Sequence, residues 1–97
     1  MSRYLLYPAA RADLEEIWDY TLDQWGPDQA EDYVSELRHA IERVADRPGI
    51  GRACEELRPG YRRLPTGSHT LYYRITEDGV VAIVRILHQR MDPDLHL

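Results

Sequence analysis

Apolar residues recur along this chain with two different periods. From Pro8, the residues Ala10, Leu14, Ile17, Trp18, Thr21, Leu22 and Trp25 fall at helical spacing, with Asp13, Glu15, Glu16, Asp19 and Asp23 on the other side. Pro8 suits a first helical turn, Gly26 a helix end and Pro27 the opening of a second helix. That helix carries Ala30, Tyr33, Val34, Leu37, Ile41, Val44 and Ala45, and stops at Arg47-Pro48-Gly49. So short a joint predicts an antiparallel helical hairpin with one apolar seam. Trp18 and Trp25 are expected in the core, and the acidic stripe in solvent.

The remaining pattern is that of strands. Tyr4 to Tyr7 is a plausible first strand, and Pro48 to Gly60 reads as a loop. Tyr61 to Leu64, His69 to Ile75 and Val80 to Leu87 follow, separated by PTGS and EDG. Asp78-Gly79 signals a two-residue hairpin turn, with Glu77 facing Val80. Ile75 then faces Ala82, Tyr73 faces Val84, Leu71 faces Ile86 and His69 faces His88. That face is apolar and should pack on the helices. Thr70, Tyr72 and Arg74 share the other face with Leu87, Arg85 and Ile83. If Leu64 faces His69, Tyr61 and Arg63 join this Tyr/Arg surface. A slip of one residue would exchange the two faces.

Composition adds an uneven charge. The chain has 97 residues and a net charge of −5, with 12 cations that are all arginine. Up to Asp46 the balance is −7, from Arg47 to Met91 it is +4, and the tail DPDLHL carries −2. The length suits a single domain spanning 1–97. No run is long and apolar enough for a membrane span, and the start MSRYLLYPAARADLEE lacks a signal-peptide core. The single cysteine, Cys54, cannot form an internal disulfide, so a cytoplasmic protein is expected. The arginines reflect either codon usage or arginine's preference for planar anions and aromatic faces.

The polar residues each admit a bland and a sharp reading. His88 is a hydrogen-bonded residue at the core edge, or a general acid or base titrating near neutral pH. Arg74 and Arg85 form internal ion pairs with Glu55, Glu56 or the helices, or they bind an acidic peptide or a phosphate. Tyr61 and Tyr72 are ordinary strand aromatics, or stacking platforms for bases. The glycines form no phosphate-cradling pattern. The four histidines and Cys54 have no metal-ligand spacing, so no metal site and no cofactor are expected. The residues alone give an acidic two-layer α+β domain with a Tyr/Arg sheet face, and stop short of a reaction.

Several motifs in order carry a resemblance. DLEEIWDYT from Asp13, Trp25-Gly26, ELRPGYRRLPTGSH from Glu56 and YYRITEDGVVAIVRILHQRMDP from Tyr72 resemble the ParE branch of the RelE/ParE superfamily of type II toxin–antitoxin systems. The likeness runs from about Tyr4 to Leu97. It implies an N-terminal strand and an antiparallel helical hairpin packed on a curved, mainly antiparallel β-sheet, in the order β-α-α-β-β-β. It also implies a plasmid-stabilising bacterial toxin that inhibits DNA gyrase by binding, without catalysis. A ParD-like antitoxin would neutralise it in a hetero-oligomer that binds operator DNA through the antitoxin. On this reading Arg63, Tyr72, Arg74, Arg85 and Arg90 are the antitoxin- or target-binding residues, and the chain itself does not bind nucleic acid or membrane. The alternative is a ribosome-dependent mRNA endoribonuclease of the RelE branch, with His88, Arg85, Arg74 and Arg63 as the catalytic set. Acidity (pI near 5.3) and the lack of lysine weigh against it, because such a nuclease works within a dense phosphate field.

Overall fold

In the computed structural model, residues 3–97 are described. Strand β1 (Tyr4–Leu6) leads into helix α1 (Pro8–Trp25), with Pro8 at the first turn as expected. Helix α2 (Pro27–Asp46) follows after one residue, Gly26. Gly26 has φ +92, and its N–H bonds to the Leu22 carbonyl at 3.0 Å while its own carbonyl accepts from Ala30 at 3.1 Å. One residue thus closes α1 and opens α2, a backbone conformation that favours glycine.

The hairpin buries the predicted seam only in part. Ala10, Leu14, Ile17, Val34, Leu37, Ala40, Ile41 and Val44 pack with Leu71, Tyr73, Val81, Ile83 and Ile86 of the sheet. Trp18 and Tyr33 pack at the margin of this core. Trp25, expected inside, is 65% exposed and borders a groove between α1 and the sheet. Asp13, expected in solvent, is 8% exposed. Its position three residues after Ala10 and four before Ile17 places it on the buried stripe.

A short 3₁₀ turn at Pro48–Ile50 leads to β2 (Arg52–Ala53), a strand inside the stretch read as loop. Strands β3 (Tyr61–Thr66), β4 (His69–Ile75) and β5 (Val81–His88) complete a sheet of order β1-β5-β4-β3-β2. The β1–β5 pair is parallel and the other pairs are antiparallel. Two helices on a mixed five-stranded sheet make the α+β class that the sequence implied. A second 3₁₀ turn, Pro93–Leu95, lies in the tail.

The β4–β5 register corrects the sequence reading at one end and agrees with it at the other. Thr76 rather than Glu77 faces Val80, with Thr76 N–H bonded to the Val80 carbonyl at 2.8 Å. Asp78 does not take a positive φ; Gly79 does, at +80. A two-residue type I′ turn needs positive φ at both positions, so the chain makes a three-residue loop instead. The shift turns Val81 and Ile83, rather than Ala82 and Val84, toward the helices; all four are buried. An irregularity between Tyr72 and Tyr73 then absorbs one residue of β5. Beyond it Tyr72 faces Arg85, Leu71 faces Ile86 and His69 faces His88, as expected. In β3, Leu64 faces Leu71 rather than His69, because the turn is confined to Gly67-Ser68 and Thr66 faces His69. That shift is two residues, so the faces are unchanged.

Candidate functional site

Strand β1 pairs with β5 only as far as Ile83, which leaves the outer edge of β5 open beyond that point. Asp13, from α1, fills the gap. Its carboxylate accepts from Arg85 Nε and Nη2 at 2.8 Å each and from the Ile86 N–H at 2.9 Å. Arg85 Nη1 donates to the His96 carbonyl at 3.1 Å. This fork fits the planar guanidinium. The hydrogen bond with Asp13 holds the Arg85 pKa above its ordinary value, against the opposing effect of burial. Arg85 thus starts on the outer face, opposite Tyr72, and ends tied to a helix.

At the far end of the sheet, on the helix side, His69 and His88 face each other with ring centroids 5.2 Å apart, edge to face. His69 Nδ1 lies 2.6 Å from the Tyr33 hydroxyl, which accepts the Ser68 N–H at 3.0 Å. His88 Nδ1 accepts the Arg90 N–H at 3.1 Å. Burial, helped by the nearby His88, lowers the His69 pKa to about 4, so His69 is neutral at pH 7. A neutral Nδ1 can accept the Tyr33 proton. The His88 reading as a core-edge residue agrees with this geometry.

These groups border a groove of about 620 Å³ between the Gly26 end of the helical hairpin and the sheet. Tyr20 and Trp25 wall it, Asp13, Arg85, His69 and His88 line it, and Met91 closes the sheet side. Tyr20 and Trp25 are both largely exposed.

The outer face carries the remaining candidates. Arg52, Arg63, Tyr72 and Arg85 form one transverse row across β2, β3, β4 and β5. Arg74 lies nearer the β4–β5 turn, opposite Tyr61, and bonds to the Tyr7 hydroxyl at 2.9 Å. Tyr72 is 5% exposed and packs with Cys54 and Leu87, against Leu57, Tyr61 and Leu97. It therefore offers no open ring face for a base. Arg90 is exposed just past β5.

The proposed set of Arg63, Arg74, Arg85 and His88 is thus not brought together as one cluster. His88 lies on the helix side of the sheet, whereas Arg63 and Arg74 lie on the other. Arg85 and His88 both line the groove; Arg63 lines a separate basin with Arg52 and Tyr72. Among the described residues no three His, Cys, Asp or Glu side chains gather to hold a metal ion. No helix among them is long and apolar enough to cross a membrane. Sequence reasoning missed Asp13, Tyr33 and Arg52. Helical spacing could have found Asp13; nothing local marks the other two.

Comparison with known proteins agrees with the fold. Residues 4–93 match the family described as ParE toxin of type II toxin-antitoxin system, parDE. The chain is 66% identical over 96 residues to Toxin ParE1 of Mycobacterium tuberculosis, covering 99% of this chain and 98% of the relative. It is 48% identical over 98 residues to Toxin ParE1 of Caulobacter vibrioides, covering 100% and 99%. It is 34% identical over 92 residues to Toxin ParE of Escherichia coli, covering 95% and 89%. Among solved structures, the chromosomal ParDE system from P. aeruginosa superposes with a TM-score of 0.78 at 22% identity, over 91% of this chain and 96% of that one. The toxin–antitoxin complex RelBE2 from Mycobacterium tuberculosis gives 0.63 at 22%, over 92% and 100%. The fold, the ordered motifs and the full-length relatives lead to one conclusion: this chain belongs to the ParE toxin family of type II toxin–antitoxin systems.

Proposed function

We propose that this toxin acts by binding DNA gyrase and blocking it, with no chemistry of its own, and that a ParD-like antitoxin neutralises it. The observation that carries the non-catalytic reading is the dispersal of the candidate catalytic groups. Arg85 is neutralised by Asp13, Arg74 is bonded to Tyr7, and His88 sits on the opposite side of the sheet from Arg63. General acid–base cleavage needs such groups within hydrogen-bond reach of one scissile phosphate. The net charge of −5 also disfavours work inside a ribosome. Two similar solved structures are a ParDE system and a RelBE2 complex, which supports an antitoxin partner. Of the residues assigned to partner binding, Arg90 is exposed and Arg63 is half-buried beside the basin. Tyr72 is buried, and Arg74 and Arg85 are bonded to Tyr7 and Asp13. Operator binding by the hetero-oligomer then passes through the antitoxin.

The test is supercoiling of relaxed plasmid by purified gyrase with this protein titrated in, beside a cell-free translation reaction. Loss of supercoiling with intact transcripts and translation is expected. Active gyrase with cleaved transcripts would overturn the reading and put His88, Arg85, Arg74 and Arg63 first for mutation.

A further inference from the structure

The sheet strands carry five arginines: Arg52, Arg62, Arg63, Arg74 and Arg85. Three are held internally. Arg62 donates to the Gly51 carbonyl, Arg74 to Tyr7 and Arg85 to Asp13. The side chains of Arg52 and Arg63 have no hydrogen-bond or ion-pair partner among the described residues. They are also direct cross-strand partners in the β2–β3 ladder, so their side chains rise on the same face. Like charges directly opposite each other destabilise a sheet pair. No acid forms an ion pair with either among the described residues. The Glu55 carboxylate accepts from the Gly60 N–H and that of Asp92 from the Asp94 N–H.

The two guanidinium groups border a basin of about 440 Å³ that the tail closes at Met91 and Pro93. Thr70 and Gln89 add polar groups to its wall, and Ile50, Leu64 and Pro65 add apolar surface. Two planar forks over one small basin suit a single carboxylate, which can accept two hydrogen bonds from each. The apolar wall suits the neighbouring side chains of a peptide. A nucleic acid fits less well, because Tyr72 is buried and presents no stacking face, and the acidic helices repel a polyanion.

We propose that Arg52 and Arg63 form a clamp for a carboxylate on an acidic segment of a protein partner. The inference rests on the reading that this toxin works through protein partners, and it names the chemistry by which one of them is held. Binding relieves the repulsion between the two arginines, so the clamp costs the free protein stability and returns it on contact.

The experiment uses the full chain with three fluorescent probes: a short glutamate-rich peptide, the same peptide with glutamine in place of glutamate, and a single-stranded RNA of equal length. The glutamate peptide should bind, and more weakly as salt rises. The glutamine peptide should not. Arg63→Gln and Arg52→Gln should each weaken binding by about tenfold. Each should also leave the melting temperature unchanged or raise it, which a structural arginine would not do. Equal peptide affinity in wild type and both variants would overturn the clamp, as would a lowered melting temperature in both. Preferential binding of the RNA would move the site to nucleic acid. None of these readings depends on gyrase, so failure of gyrase inhibition leaves the clamp separately testable.

Discussion

The Asp13 carboxylate accepts three hydrogen bonds, two from Arg85 and one from the Ile86 N–H. Asp13→Ala leaves the Arg85 side chain, 22% exposed, with only the His96 carbonyl and no carboxylate, and an open N–H on β5. The loss should be roughly 2–3 kcal/mol, allowing for the partial exposure, and read as a lower urea midpoint. Replacing both residues by apolar ones of similar volume should cost less than Asp13→Ala alone. His69 gives a pH prediction. The unfolded chain takes up its proton near 6.5, while the folded protein resists until about 4. The unfolded state therefore binds more protons between those values, and stability falls as pH drops across that window. Below about 4 this contribution is fully lost. Urea midpoints of wild type and His69→Gln should diverge across the window; parallel curves would refute the assignment. His88→Gln should raise the His69 pKa, read from its imidazole NMR shifts. The sequence reading sets Asp13 in solvent, although its spacing from Ala10 and Ile17 places it on the apolar stripe. The Tyr33–His69 contact was not legible, because 36 residues separate the pair.

Both helix boundaries were legible, because Pro8, Gly26 and Pro27 act through local backbone preferences. What α1 packs against was not, and Trp25 shows the gap. Trp25→Ser should change stability by less than about 0.5 kcal/mol, since the side chain is 65% exposed. The segment before β2 behaves in the opposite way. Gly51 donates to the Tyr73 hydroxyl at 2.9 Å, and that hydroxyl donates to the Pro48 carbonyl at 2.6 Å. A Cβ at Gly51 would collide with the Tyr73 ring and hydroxyl. Gly51→Ala should therefore cost about 1–3 kcal/mol by thermal melting, although its φ of −77 suits any residue. The sequence showed a glycine in a loop and could not show the ring pressed on it. The irregularity in β5 is of the same kind. The alternation of apolar residues is satisfied by either register in a strand apolar on both faces, so the turn and the core packing decide.

At the scale of the molecule, the sheet separates two apolar clusters, a large one under the helices and a small one around Cys54, Tyr72 and Leu87. Leu97 of the tail packs on the small cluster, and Arg58 and Arg85 bond to the tail carbonyls of Leu97 and His96. Burial raises the Cys54 thiol above its ordinary pKa. It should therefore resist iodoacetamide in the native state at neutral pH and react once urea opens the fold; rapid native labelling, followed by mass spectrometry, would show the small cluster to be open. The sequence by itself determined the two helices, their one-glycine joint, the strands around the two hairpin turns, and the split between an acidic helical half and a basic sheet half. These follow from local dihedral preferences, side-chain period and composition. Tertiary structure alone decided that Arg85 reaches Asp13 across 72 residues, that His88 and the free arginines stand on opposite sides of one sheet, and that Arg52 meets Arg63. Those outcomes depend on register and strand order, which are set when distant segments close on a shared core.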